Sequence, residues 1–95
     1  MGRPPKHIGE SLKAWAKDMG FEKKLNQVQL VRMWPDIVGE NIAKISHAER
    51  VFEGILYVKV HSMTWRTELQ FQKQKIMQRI EKNVGKNIIK DIRFM

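Results

Sequence analysis

The sequence predicts a small α+β domain whose elements run helix, helix, hairpin, helix, strand. Apolar residues recur at helical spacing in two stretches before residue 46 and again between Trp65 and Ile80. Apolar and polar residues alternate through Leu56–His61, and a second β-type run lies at Ile88–Phe94. Ninety-five residues with 42% hydrophobic content suit one core, although a chain of this size buries only about two-thirds of its unfolded surface. Three Trp, four Phe and one Tyr supply large buried areas that help so short a chain build an interior.

Residues 1–7 are read as a flexible basic arm and residues 8–95 as a single domain. Pro4 and Pro5 after Gly2 favour an extended lead. Gly2-Arg3-Pro4 matches the core tripeptide of a minor-groove hook but lacks the arginine that should precede the glycine. Ile8, Leu12, Trp15, Ala16 and Met19 then share one helical face, with Lys6, Lys13 and Lys17 roughly opposite, and Gly20 is the expected stop.

A second helix is expected to start with Asn26 as its N-cap, Gln29 at the third helical position and Leu25 stapled on Leu30. Leu30, Val28, Val31, Met33 and Trp34 spread apolar surface around much of its circumference, as in a central helix. Pro35 removes a backbone donor, so Trp34-Pro35-Asp36 should kink or break the helix. Ile37, Val38, Ile42 and Ile45 continue the apolar face past Gly39, its interior weak point, until Ser46 and His47.

Arg50-Val51-Phe52 leads through Glu53-Gly54 into a hairpin, with Leu56, Val58 and Val60 on a covered face and Lys59 and His61 on a wetter one. Ser62 or Thr64 caps a long helix that buries Trp65, Leu69, Ile76, Met77 and Ile80 and closes at Gly85. Ile88–Phe94 forms the last strand, with Ile88, Ile92 and Phe94 on one side and Lys90 breaking the alternation.

Eighteen Lys and Arg against ten Asp and Glu give a net charge of +8. Residues 1–24 carry +3, residues 25–61 are neutral and residues 62–95 carry +5. A requirement for solubility alone would not segregate charge in this way, whereas a footprint for a polyanion would.

Without cysteine there are no disulfides, no thiolate metal sites and no Cys nucleophile, and a reducing cytoplasm is the expected compartment. No apolar stretch approaches the roughly 18 residues of a membrane span, and no apolar signal segment follows Met1–Lys6. His7, His47 and His61 have no recurrent ligand spacing, the acids are scattered, and Gly39, Gly54 and Gly85 stand alone rather than in a phosphate loop. The expectation is a protein that is not an enzyme and needs no metal or cofactor.

At 100° per residue, Lys75, Arg79 and Lys82 share one flank of the long helix and Phe71 lies near their line. Lys and Arg for phosphates beside an aromatic ring for bases is a common way of holding single-stranded nucleic acid. Phe71 is either that platform or, the commoner fate of an apolar side chain, part of the core. Arg66 and Lys73 on the other flank are secondary candidates whose stems can lie over apolar neighbours. Lys86, Arg3 and Lys6 complete the candidate contacts.

Trp34-Pro35-Asp36-Ile37-Val38-Gly39-Glu40-Asn41-Ile42-Ala43, Gly54-Ile55-Leu56-Tyr57-Val58-Lys59-Val60, Trp65, Glu68-Leu69 and Ile92-Arg93-Phe94, in that order and spacing, resemble the DciA family. The resemblance covers about Ile8 to Phe94. It implies a KH-like fold with helices on one face of a three-stranded sheet, DNA affinity, and a role as loader or operator of the bacterial replicative helicase. The Gly-x-x-Gly loop by which KH domains clamp nucleotides is absent, so nucleic acid must meet another surface. Longer family members carry a disordered extension that serves helicase engagement, and the expectation here is a short form without it. Trp34, Gly39, Ile42, Leu56, Val58, Leu69 and Phe94 match family positions that read as packing sites.

Two functions follow as expectations. One is a DNA-binding accessory of replication, on single or double strands, whose affinity falls steeply with salt. The other is a docking module for the replicative helicase or another replication protein, with charge serving for steering. RNA is a further possible ligand, since basic patches read the backbone rather than the sugar.

Overall fold

In a computed structural model, which describes residues 20–95, the apolar periodicity that begins after Gly20 becomes helix α1 (Phe21–Val38). The expected arm over residues 1–7, with Arg3 and Lys6, and the helix expected over Ile8–Met19 lie outside the described residues. After α1 come α2 (Glu40–Ala43), β1 (Ser46–Phe52), β2 (Ile55–Val60), α3 (Met63–Phe71), α4 (Lys73–Asn83) and β3 (Asp91–Phe94). This is the expected α+β class and order, with the expected second and third helices each divided in two.

Helix α1 starts earlier than its capping signal suggests. Asn26 lies inside it, no side chain caps its first turn, and Leu25 is 52% exposed while Leu30 is fully buried, so no staple forms. Gln27 instead donates from Nε2 to the Ile88 carbonyl at 2.9 Å, tying α1 to the segment that precedes β3. The helix also passes through Pro35. It ends at Gly39, whose φ of 91° is costly for any residue with a Cβ, and the Gly39 N–H closes the last turn on the Pro35 carbonyl at 3.0 Å. The break predicted at Pro35 therefore falls four residues later.

The chain then extends sooner than expected, and β1 begins at Ser46. The buried Ser46 hydroxyl accepts from Trp34 Nε1 at 3.1 Å and donates to the Ile42 carbonyl at 2.7 Å. One small side chain thus satisfies the indole of α1 and an end carbonyl of α2, and fixes where the strand leaves the helices. The hairpin turn places Glu53 at φ 51° and Gly54 at φ 82°, the two left-handed residues of a tight two-residue turn whose twist suits antiparallel strands.

The sheet order is β1-β2-β3, with β2 antiparallel to β1 and parallel to β3. Strand β3 is shorter than expected, because Ile88 and Ile89 enter the core ahead of it. Of the two expected caps, Ser62 and Thr64, Ser62 serves α3, its Oγ accepting from Trp65 N at 3.3 Å. The long helix then tightens at Gln72, whose N–H is shared between the carbonyls of Glu68 and Leu69 at 3.2 and 3.1 Å, and restarts as α4.

Packing follows the alternation. Helix α1 lies on β1, α3 on β2 and β3, and α4 on α1 and α3. Leu56, Val58, Val60, Ile92 and Phe94 meet Leu30, Trp34, Leu69, Ile76 and Ile80 in one core, so the helices cover a single face of the sheet. No described helix covers the other face.

Candidate nucleic-acid interface

The cations predicted to bind divide by environment. Lys75, Arg79 and Lys82 all project from α4 into solvent, at spacings of four and three residues that set them along one flank of the helix beside the buried Ile76 and Ile80. None of the three has an ion-pair partner among the described residues. Phe71, one turn before Lys75 at the end of α3, is 82% exposed. The alternative of a core Phe71 is overturned, because the tightening at Gln72 leaves Leu69 and Ile76 to fill the interior on either side of the joint.

Two other candidates are already engaged. Lys73 Nζ lies 3.0 Å from Asp91 Oδ1 on β3. That hydrogen bond, helped by the Ile92 backbone N–H, holds the Asp91 carboxyl below its ordinary value of 3.8 despite some loss of solvent. Arg66 is half-buried, its Nη2 reaching the Val60 carbonyl at 3.5 Å and its Nε buried without a partner. Its stem lies inward as expected, and its head follows it toward the end of β2. Lys86 is exposed beyond α4, and with Lys23 of α1 it borders a shallow depression that also has Glu22 on its rim.

Cations outside the predicted set gather on the open side of the sheet. Cross-strand pairing sets Arg50, Tyr57 and Arg93 side by side across β1, β2 and β3. The Arg50 guanidinium lies 4.9 Å from the centre of the Tyr57 ring and 6.0 Å from that of Phe52. Lys59 and His47 form the next row, where the His47 and His61 rings approach with nitrogens 3.4 Å apart. The sequence signalled only part of this face, in the wetter register of Lys59 and His61. It hid Arg50, because β1 carries a bulge between Ala48 and Arg50 that reverses which residues face inward.

A groove of about 590 Å³ lies between α1 and β1, lined by Val28, Val31, Val51 and Phe52 with Lys24, Arg32 and Arg50 at its sides. No three His, Asp or Glu residues converge as metal ligands among the described residues, and no described helix is long and apolar enough to cross a membrane.

Fold and surface together define a small α+β domain with solvent-facing cations on both its helical and its sheet side. The chain belongs to the DciA family: the family model described as "Dna[CI] antecedent, DciA" matches residues 7–94. By its name that family is linked to replication and helicase loading. The chain is similar to a UPF0232 protein of Rhodococcus jostii, with 31% identity over 97% of this chain and 49% of the relative. UPF0232 proteins of Corynebacterium glutamicum and Mycobacterium tuberculosis are 28% and 23% identical, again over 97% of this chain and covering 52% and 49% of the relatives. The chain thus spans about half the length of the curated relatives it matches.

Proposed function

We propose that this domain is a nucleic-acid-binding accessory of DNA replication that works beside the replicative helicase, and that α4 is its principal contact. The observation that carries this reading is the row of Lys75, Arg79 and Lys82, solvent-facing and free of carboxylate partners, headed by the exposed ring of Phe71. A row of this kind neutralises successive phosphates while the ring stacks on a base, so it suits a single strand, whose bases are free to turn toward the protein. Membership of a family linked by name to replication and helicase loading supplies the context. DNA is the ligand proposed. The contacts are to phosphate and to the flat face of a base, so RNA should compete unless the 2′-hydroxyl is read elsewhere.

The test is a salt titration of binding to single-stranded DNA, duplex DNA and RNA. Three phosphates neutralised by α4 contribute about −2 to the slope of log affinity against log salt on single strands. Changing Lys75, Arg79 and Lys82 together to Ala should remove that contribution. A wild-type chain that binds none of the three polymers at low salt refutes the function, whereas a triple variant with unchanged slope refutes only the choice of surface.

A further inference from the structure

We infer that the open face of the sheet is a second binding surface for single-stranded nucleic acid, centred on the transverse row Arg50–Tyr57–Arg93. The inference rests on the reading that the chain binds nucleic acid, and it adds a site apart from the α4 row, on the face of the sheet that no described helix covers.

The row is a product of register. Before the bulge at Glu49, Ser46 and Ala48 pair with Val60 and Val58 on the inward face. Had the alternation continued, residue 50 would face inward as well. The extra residue reverses the phase, so that Val51 turns into the core opposite Leu56 while Arg50 and Phe52 turn outward opposite Tyr57 and Ile55. The parallel pairing of β3 then brings Arg93 to the other side of Tyr57. A tyrosine ring ends up between two arginines on neighbouring strands, which lie about 4.8 Å apart.

This arrangement fits a nucleotide better than it fits an isolated anion. The Tyr57 ring and the Arg50 guanidinium above it are flat groups on which a base stacks, and Arg93 and Lys59 are left for phosphates. Lys59 stands one row along β2, about 6.7 Å from Tyr57 in an extended strand, so the face offers successive contacts along a chain direction. Asp91 is held by Lys73, and neither Arg50, Lys59 nor Arg93 forms an ion pair among the described residues.

The test is an anisotropy titration of the 95-residue chain with labelled oligothymidylate and oligouridylate, joined to backbone amide shifts that report which face responds. The double variant Arg50→Ala/Arg93→Ala should weaken binding about tenfold and flatten the salt slope by about 0.7, the share of the one phosphate that Arg93 neutralises. Tyr57→Leu should also weaken binding about tenfold, but with the slope unchanged, because a lost stack carries no counterion. Should the alanine variants fail to fold, Arg50→Lys/Arg93→Lys should keep the slope and lose part of the affinity, and Lys59→Ala should flatten the slope by about 0.7.

Sheet-face variants that bind as tightly as wild type, with shifts confined to α4, would overturn the inference and leave the proposed function standing. Sheet amides that move with polyglutamate but not with either oligonucleotide would assign the face to an acidic protein partner and overturn it too. A wild-type chain that binds neither oligonucleotide overturns the inference, and it removes the proposed function as well only if duplex DNA also goes unbound. Equal responses to the two polymers would support a surface that reads base and phosphate, and a response to one alone would support it with that polymer as ligand.

Discussion

Helix α4 and the open sheet face both present arginine or lysine beside an aromatic ring, but they are made in different ways. On α4 the cations lie within eight residues of one another and their alignment is a property of a single helix. On the sheet, Arg50 and Arg93 are 43 positions apart and meet Tyr57 only because one bulge and one parallel pairing bring them into line. A row built on one helix persists for as long as that helix is folded. A row built across three strands exists only when the whole domain is assembled, so the two surfaces should part company under destabilisation.

The largest effect therefore comes from the scaffold they share. Trp34→Ala removes a fully buried indole from the centre of the core, and a loss of about 3–5 kcal/mol is expected, seen as a fall in the denaturant midpoint at constant slope. At partial unfolding the sheet row should be lost with the domain, while residual helical signal from α4 outlasts it in amide shifts. Simultaneous loss of both would break the contrast.

Next in size is Ser46→Ala. It strips a partner from the Trp34 indole N–H and from the Ile42 carbonyl, both in the interior, and should cost about 1–3 kcal/mol. Because Ser46 opens β1, the variant should loosen the sheet row before the α4 row. Amide exchange that rises across Ser46–Phe52 while Lys73–Asn83 stays protected is the expected pattern, and uniform exchange across both would contradict it.

What could be read in advance follows the same division. The α4 row, the capping of α3 by Ser62, the two-residue turn at Glu53-Gly54 and the buried register of Leu56, Val58 and Val60 all depend on residues close in sequence, and all were legible. The helix end was misplaced because Pro35 carries the stronger breaking signal. The helix nevertheless runs three residues past the N–H that Pro35 lacks, and it stops where Gly39 adopts a left-handed backbone angle. Asn26 looked like a cap because local pattern cannot show that helix already precedes it. Lys73 and Arg66 looked like free cations because their partners, Asp91 and the Val60 carbonyl, belong to other elements. The Arg50–Tyr57–Arg93 row was hidden by the bulge, since alternation counted straight through β1 sends Arg50 inward.

The smallest expected effect concerns Lys73, which lies on α4 yet differs from its neighbours in already having a carboxylate partner. An ammonium held 3.0 Å from Asp91 is not free to neutralise a phosphate and displace its counterion, so Lys73→Ala should leave the salt slope unchanged where Lys75→Ala reduces it. Asp91→Asn should free Lys73 and steepen the slope instead.

The same pair makes stability depend on acid. Because the Asp91 carboxyl is lowered from 3.8 in the folded chain, its contribution is complete above the unfolded value and is lost as pH falls from there through the folded value. With the Asp91 side chain 55% exposed, solvent screening holds that contribution to no more than about 1 kcal/mol. Wild type and Asp91→Asn should thus differ in denaturant midpoint at neutral pH and converge below pH 3.8. A difference that persists undiminished into strong acid would show that the pair is not what joins Lys73 to β3, and would leave Lys73 a free cation on the other flank of α4.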